Sequence, residues 1–115
     1  MITAAAILLA VQAPVAADIA GLYETQQIEV AAALELQPGG HFRYVLTYGA
    51  LDEASEGDWT FDGATVRLIS NPMPPELRAL ELGNARFDAE PLLLEDGDLL
   101  LERYETVFRF RRTEP

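Results

Sequence analysis

Apolar residues occupy every second position over residues 28–36 and again over residues 42–48, and this alternation constrains the fold more than any other feature of the chain. A two-residue period is typical of a strand with one buried face, and enrichment in Val, Thr, Tyr and Phe opposes a helix. Between the two runs stands Pro38-Gly39-Gly40, whose residues suit a tight turn. The pattern therefore predicts a β-hairpin.

The same arrangement recurs on either side of Asp62-Gly63. Apolar and aromatic side chains alternate over residues 59–61 and again over residues 66–68. Asp-Gly is a strong hairpin signal, because both residues tolerate the positive φ that a two-residue turn needs. The proline-rich residues 71–75 that follow are predicted to form a loop crossing, since a proline cannot join a central strand.

A third hairpin is predicted around Asp96-Gly97, between residues 92–94 and an alternating run over residues 98–112. That run is one long strand, or two strands with a bend near Glu105. Its predicted buried face carries the apolar residues of even number, which are Leu100, Tyr104, Phe108 and Phe110.

Two stretches between the second and third hairpins are less regular. Residues 76–82 fit one face of a helix or a strand, and we favour a strand; residues 85–90 are predicted to form a short strand around Phe87. The count is then about eight strands. The sequence predicts an all-β fold, an antiparallel up-and-down meander that forms a small, closed or partly open barrel, preceded by an apolar signal helix.

The first 17 residues are apolar and uncharged, and they are shorter than the ~20 residues that span a bilayer. Small residues, Val15 and Ala17, stand at the −3 and −1 positions of a signal-peptidase site. We expect a signal peptide over residues 1–17, cleaved before Asp18, and one barrel domain over residues 18–115. The segment lacks the usual early Lys or Arg, so an uncleaved anchor is the alternative. A cysteine-free exported chain suits a bacterial periplasm or secretion.

The formal net charge of −11 limits the partners of the chain. An acidic surface repels phosphate groups, so we expect no nucleic-acid partner and no membrane partner once the signal peptide is removed. The chain has no Lys and no Cys, which excludes a Schiff-base amine and a thiol nucleophile. Only carboxylate or tyrosine chemistry remains, and we expect a monomer that is not an enzyme and holds no cofactor or metal.

Aromatic side chains are the candidate ligand-binding group. They could line the mouth of a barrel and stack against a small molecule, or they could fill the core that a domain of this size needs. The candidate ligand-binding residues are Tyr44, Tyr48, Trp59, Phe61 and Phe108.

Charged residues form two further candidate groups. The acidic segment that contains Asp52, Glu53, Glu56 and Asp58 could offer carboxylates to a hard cation, but its spacing does not match an EF-hand, so a solvated loop is favoured. The single histidine, His41, is expected to be a solvated turn residue. The basic group could receive an anion, although cross-strand pairing with Glu side chains on a neighbouring strand is the favoured interpretation. The basic group consists of Arg103, Arg109, Arg111 and Arg112.

Several short motifs together resemble the small bacterial lipocalin-like proteins. These motifs are Gly21-Leu22-Tyr23, the Leu34-to-Phe42 hairpin, Gly57-x-Trp59 and Gly63-x-x-Val66-x-Leu68. They also look like the N-terminal barrel of the envelope lipoprotein NlpE, whose cysteines are absent here. The resemblance covers residues 18–70 best. It implies a meander barrel with one open end that holds small apolar ligands or serves as an envelope interaction module.

Three functions remain open from the sequence. We expect a periplasmic binding module for a small, largely apolar ligand. The alternative is an envelope protein-interaction module that works through its outer face or an exposed strand edge. A carboxylate-based enzyme is the least favoured of the three.

Overall fold

A computed structural model of the chain describes residues 15–72 and 85–113. Within these residues each strand pairs antiparallel with the next along the chain, and the last pairs with the first, so that eight strands close a barrel. The elements are α1 (Ala16–Ile19), β1 (Gly21–Thr25), β2 (Val30–Leu36), β3 (His41–Tyr48), β4 (Leu51–Phe61), β5 (Thr65–Ser70), β6 (Asp88–Glu95), β7 (Asp98–Arg103) and β8 (Thr106–Arg112). The predicted all-β antiparallel meander is confirmed, and its barrel is closed. The predicted signal helix, apart from its last residues, and the predicted strand 76–82 lie outside the described residues.

The first predicted hairpin is confirmed as β2 and β3, which pair in register from Val30 opposite Tyr48 to Leu36 opposite Phe42. The prediction was wrong at its first residue. Ile28 precedes the strand and is 89% exposed. The neighbouring Glu29 has a φ of 61°, so the chain is still turning there and the alternation of the sequence has not yet become a strand.

Strand β4 begins earlier than predicted. The sequence indicated a solvated loop over residues 48–58, whereas β4 starts at Leu51 and runs for 11 residues. A tight turn at Gly49, with a φ of 60°, allows this early start. Residues 51–58 then pair residue by residue with β3, and this pairing satisfies the backbone of a segment too polar to be recognised as a strand.

The structure differs from two further predictions in the last third of the barrel: the start of the strand near residues 85–90, and which residues of the run from residue 98 face inward. Residues 85–90 are not a separate strand, because β6 is a single strand that begins at Asp88. Of the two alternatives for residues 98–112, two strands with a bend near Glu105 are confirmed: a turn in which Tyr104 and Glu105 have φ values of 56° and 59° joins β7 to β8. This two-residue turn reverses which parity faces inward. Leu100 and Tyr104 are therefore not on the buried face, and Leu99 and Leu101 are buried in their place.

Large side chains fill the interior of the barrel. Those with almost no solvent exposure come from all strands except β4 and include aromatic residues from β1, β3 and β8. The largest of them are Tyr23, Tyr44, Phe42, Phe108, Phe110, Leu34, Leu36, Leu46, Leu68, Leu92, Leu99 and Leu101. Close packing of this kind is what stabilises a domain with so small a core.

The two ends of the barrel differ. The end at which α1 enters, called the helix end here, carries the turns at residues 37–40, 62–64 and 96–97. The opposite end, called the far end, carries the turns at residues 26–29, 49–50 and 104–105, and there β5 ends and β6 begins. Among the described residues, no helix has the length and apolar character needed to cross a bilayer.

Candidate functional site

The five predicted ligand-binding aromatics do not meet at one mouth of the barrel. Trp59 and Phe61 lie toward the helix end, and Tyr48 and Phe108 lie toward the far end, with Tyr44 between them on β3. Phe108, Tyr44 and Trp59 are buried, and the other two are half-buried.

These aromatic side chains contact each other and the backbone. The rings of Tyr48 and Phe108 pack edge to face with their centroids 5.7 Å apart, and Tyr44 packs edge to face on Phe87 at 5.0 Å. The indole N–H of Trp59 donates to a backbone carbonyl in the turn between β2 and β3. Four surface clefts formed by described residues are lined by none of the five. Tyr44, Trp59 and Phe108 belong to the core cluster, and Tyr48 and Phe61 pack against it, so their role in ligand binding stays a prediction.

Glu53 is the main site residue that the sequence misplaced. It was predicted to lie in a solvated acidic loop, but its side chain faces the interior from β4 and the residue is 6% exposed. The Arg103 guanidinium donates to both carboxylate oxygens, from Nε to Oε2 at 2.8 Å and from Nη2 to Oε1 at 3.0 Å. The hydroxyl groups of Tyr44 and Tyr104 also donate to this carboxylate.

The environment of Glu53 keeps its carboxylate ionised. Burial by itself raises the pKa of Glu53, but the hydrogen bonds from Arg103, Tyr104 and Tyr44 outweigh it and hold that pKa below its usual value. Burial, followed by the hydrogen bond to Glu53, raises the pKa of the Tyr44 hydroxyl. A carboxylate that accepts four hydrogen bonds in this way anchors its neighbours and is poorly suited to transfer a proton.

The other acidic residues of this segment lie on the outer face of the barrel. Asp52, Glu56 and Asp58 are exposed. The carboxylate of Glu56 accepts a hydrogen bond from His41 Nε2 at 3.2 Å. The four carboxylates of the segment therefore do not converge. No group of three or more potential metal-ligating side chains occurs among the residues that the structure describes.

The predicted basic group divides into three environments. Arg109 binds Asp98 at 2.6 Å and also Glu95, and Arg111 lies 3.6 Å from Asp98. Cross-strand ion pairing is therefore confirmed for these two, but the partner on the neighbouring strand is Asp98 and not the predicted Glu. Arg103 is different, because its partner is the interior Glu53. Arg112 is different again, because its described partners are uncharged oxygen atoms at the helix end.

The helix end contains a cleft of about 630 Å³ between α1 and the hairpin of β6 and β7. Tyr23 donates from its hydroxyl to the Ile19 carbonyl at 2.6 Å, and Arg112 Nη2 donates to the Asp18 carbonyl and, at 2.9 Å, to the Tyr23 hydroxyl. The guanidinium also lies 5.3 Å from the centroid of the Tyr23 ring. The lining residues are Asp18, Ile19, Tyr23, Leu94, Asp96, Gly97, Asp98, Arg111 and Arg112.

The chain matches no known protein in the comparisons: no family model, no curated protein and no solved structure is similar to it. The resemblance to lipocalin-like proteins therefore stays a prediction. Closed antiparallel barrels of eight strands serve many unrelated functions, so the fold alone assigns none of them. The predicted protein partner and the predicted export likewise stay predictions.

Proposed function

We propose that this chain is an exported binding module that takes a small, largely apolar ligand in the cleft at the helix end. The observation that supports the proposal is the cleft itself. Its volume of about 630 Å³ lies within the range of roughly 300–1,000 Å³ that is usual for small-molecule sites. Ile19, Tyr23 and Leu94 give it an apolar floor, and charged side chains surround that floor.

This location differs from the one that the sequence suggested. The interior aromatics pack against each other, so a ligand among Tyr44, Tyr48 and Phe108 would have to displace core side chains. Displacing packed core residues is costly, whereas an existing cleft needs no such rearrangement. The apolar part of a ligand would lie on the floor, and Asp96 and Arg111 at the rim would orient any polar group that it carries.

Binding of a neutral fluorescent dye, Nile red, tests the proposal. We expect saturable binding of one dye molecule per chain, and we expect Leu94→Gln to weaken it about tenfold because a polar amide would replace part of the apolar floor. Leu93→Gln is the matched control: Leu93 is the neighbouring residue of β6, points outward and is 57% exposed. Equal affinity in the two variants, or the absence of saturable binding to the wild type, would refute the proposal.

An NMR titration provides a second readout that does not depend on the stability of a variant. Added dye should shift the backbone amide signals of residues 94–98, which border the cleft. The amide of Val45, on the outer face of β3, should not move. Shifts centred on β3 instead would place the ligand elsewhere and contradict the proposed site.

A further inference from the structure

We infer that a peptidase cleaves helix α1 between Ala17 and Asp18. The retained residues, Asp18 and Ile19, then close the helix end of the barrel. The inference does not depend on the proposed ligand. It rests on the contacts made by the residues on each side of this peptide bond.

The described residues before the bond, 15–17, form only local hydrogen bonds. Val15, Ala16 and Ala17 are exposed, and Val15 is 58% exposed. The Val15 N–H donates to the Asp18 carboxylate at 3.1 Å, and the Asp18 N–H donates to the Val15 carbonyl at 2.8 Å. Within the described residues, no hydrogen bond joins residues 15–17 to a strand of the barrel. Removal of residues 15–17 therefore breaks no hydrogen bond to a strand of the barrel.

Residues after the bond are held by the barrel. Ile19 is 4% exposed and belongs to the core cluster. Its carbonyl accepts the hydrogen bond from Tyr23, and the Asp18 carbonyl accepts the one from Arg112. These interactions tie the end of α1 to β1 and β8, at the seam where the barrel closes. Among residues 15–19, Asp18 is thus the first that forms a hydrogen bond with the barrel.

Two independent boundaries coincide at this bond. The sequence places small residues, Val15 and Ala17, at the positions that a signal peptidase reads, which puts the cut before Asp18. Among the described residues, hydrogen bonds to the barrel begin at the same residue. A single helical turn of four residues is marginal by itself, so it can open into the extended form that a peptidase requires at small cost.

The reaction is the hydrolysis of one amide by an external peptidase. Water supplies the hydroxyl group that converts the Ala17 carbonyl to a carboxylate, and the nitrogen of Asp18 leaves as a new α-amino group, which is protonated at neutral pH. Asp18 lines the cleft together with Asp96 and Asp98. The new ammonium group therefore appears beside acidic side chains, which favours its charged form.

The intact mass of the protein tests the position of the cut. The full chain, with its leader, is expressed in a bacterial host and purified from the periplasm. We expect the mass of residues 18–115. A different N-terminus, or a mass that retains the leader, would overturn the inference.

Two exposed alanines provide a matched pair of variants. Ala17→Leu places a large side chain at the −1 position and should leave at least ten times more precursor than the wild type, whereas Ala16→Leu changes the neighbouring −2 position and should be processed normally. Both residues are exposed, so neither change alters the core. Equal processing of the two variants would contradict the assignment of the bond.

A third variant tests separately whether Ile19 closes the helix end. Ile19→Ala should be processed at the same bond and yield the same N-terminus, but its urea midpoint should fall clearly below that of the wild type. Ile28→Ala is the control, because Ile28 is 89% exposed and its truncation should leave the midpoint unchanged. If Ile19→Ala and Ile28→Ala unfold at the same urea concentration, Ile19 does not close the helix end.

Discussion

Glu53 on β4 and Arg103 on β7 form a bidentate ion pair across the inside of the barrel, although 50 residues separate them in the chain. The two strands are not neighbours in the sheet, so no backbone hydrogen bond links them. Their side chains are 3% and 19% exposed. The guanidinium also lies over the ring of Phe87, 5.0 Å from its centroid. This pair connects two strands that β5 and β6 separate in the sheet, near the far end of the barrel.

Removal of one partner of this pair should destabilise the protein strongly. Arg103→Met leaves the Glu53 carboxylate buried without a cation, and such a change typically costs about 3–5 kcal/mol in the free energy of unfolding. The double variant Glu53→Leu/Arg103→Met should recover much of that loss, because no unpaired charge remains. Urea denaturation of the wild type, both single variants and the double variant measures the coupling.

The control for this cycle is Arg43→Met, because Arg43 is an exposed residue on the outer face of β3. Its effect should stay within about 0.5 kcal/mol. If the double variant loses as much stability as the two single variants together, the two residues are energetically independent and the ion pair has no coupling role.

The same carboxylate predicts a dependence of stability on pH. The pKa of Glu53 in the folded state lies below its usual value of about 4.5. A carboxyl group whose pKa is lower in the folded state than in the unfolded state stabilises the fold fully above its unfolded-state pKa. This stabilisation is lost as the pH falls through the folded-state pKa. The free energy of unfolding should therefore fall with pH below about 4.5, and Glu53→Gln should flatten that decrease.

Urea unfolding of the wild type and of Glu53→Gln, carried out between about pH 3 and pH 7, measures this slope. Glu56→Gln provides the control, because Glu56 is an exposed carboxylate on the outer face of the same strand. An equal flattening in the two variants would mean that Glu53 is not the group responsible.

The sequence predicted the fold well wherever apolar alternation and turn residues agree. The hairpin through Pro38 and the Asp-Gly turns at Asp62 and Asp96 all lie where the pattern placed them. Failures occurred where one signal was missing. The first half of β4 carries too few apolar residues to show a period. The bend near Glu105 was one of two alternatives and is confirmed, but the turn contains no glycine to mark it, so the inward parity of β7 was predicted wrongly.

The site was harder to predict than the fold. One signal for Glu53 was present in the sequence, since it has the same parity as Trp59 on the same strand and so faces the same way. Its partner could not be identified, because pairing with Arg103 depends on closure of the barrel and not on local sequence. The helix-end cleft is likewise formed by α1, β1, β8 and the hairpin of β6 and β7, which no local pattern brings together.

Gly57 on β4 should not tolerate a side chain. A Cβ atom at this position would lie 2.0 Å from the Ile69 carbonyl oxygen, which belongs to the backbone of β5 and cannot rotate away. Gly57→Ala must therefore separate β4 from β5, at a cost of about 1–3 kcal/mol or more. Thermal unfolding measures the loss. Gly39→Ala is the matched control, because a Cβ at Gly39 meets no atom within 4 Å and its φ is ordinary.

The seam between β1 and β8 is closed partly by a side chain. The two strands pair at only two positions, and beyond them the carboxamide of Gln27 takes the place of a peptide group. Its Oε1 accepts a hydrogen bond from the Arg109 N–H at 2.8 Å, and its Nε2 donates to the Val107 carbonyl at 3.4 Å. One residue of the turn between β1 and β2 therefore satisfies the backbone hydrogen-bonding groups at this edge of β8.

Gln27→Ala should therefore open this part of the seam. The Arg109 N–H loses its protein acceptor and turns to water, so its hydrogen exchange should accelerate at least tenfold, with a loss of about 1 kcal/mol in the free energy of unfolding. Gln26→Ala is the matched control, because Gln26 is the exposed neighbour in the same turn. Amide exchange followed by NMR separates the two variants. Unchanged exchange at Arg109 in Gln27→Ala would show that backbone pairing, and not the carboxamide, protects the edge of β8.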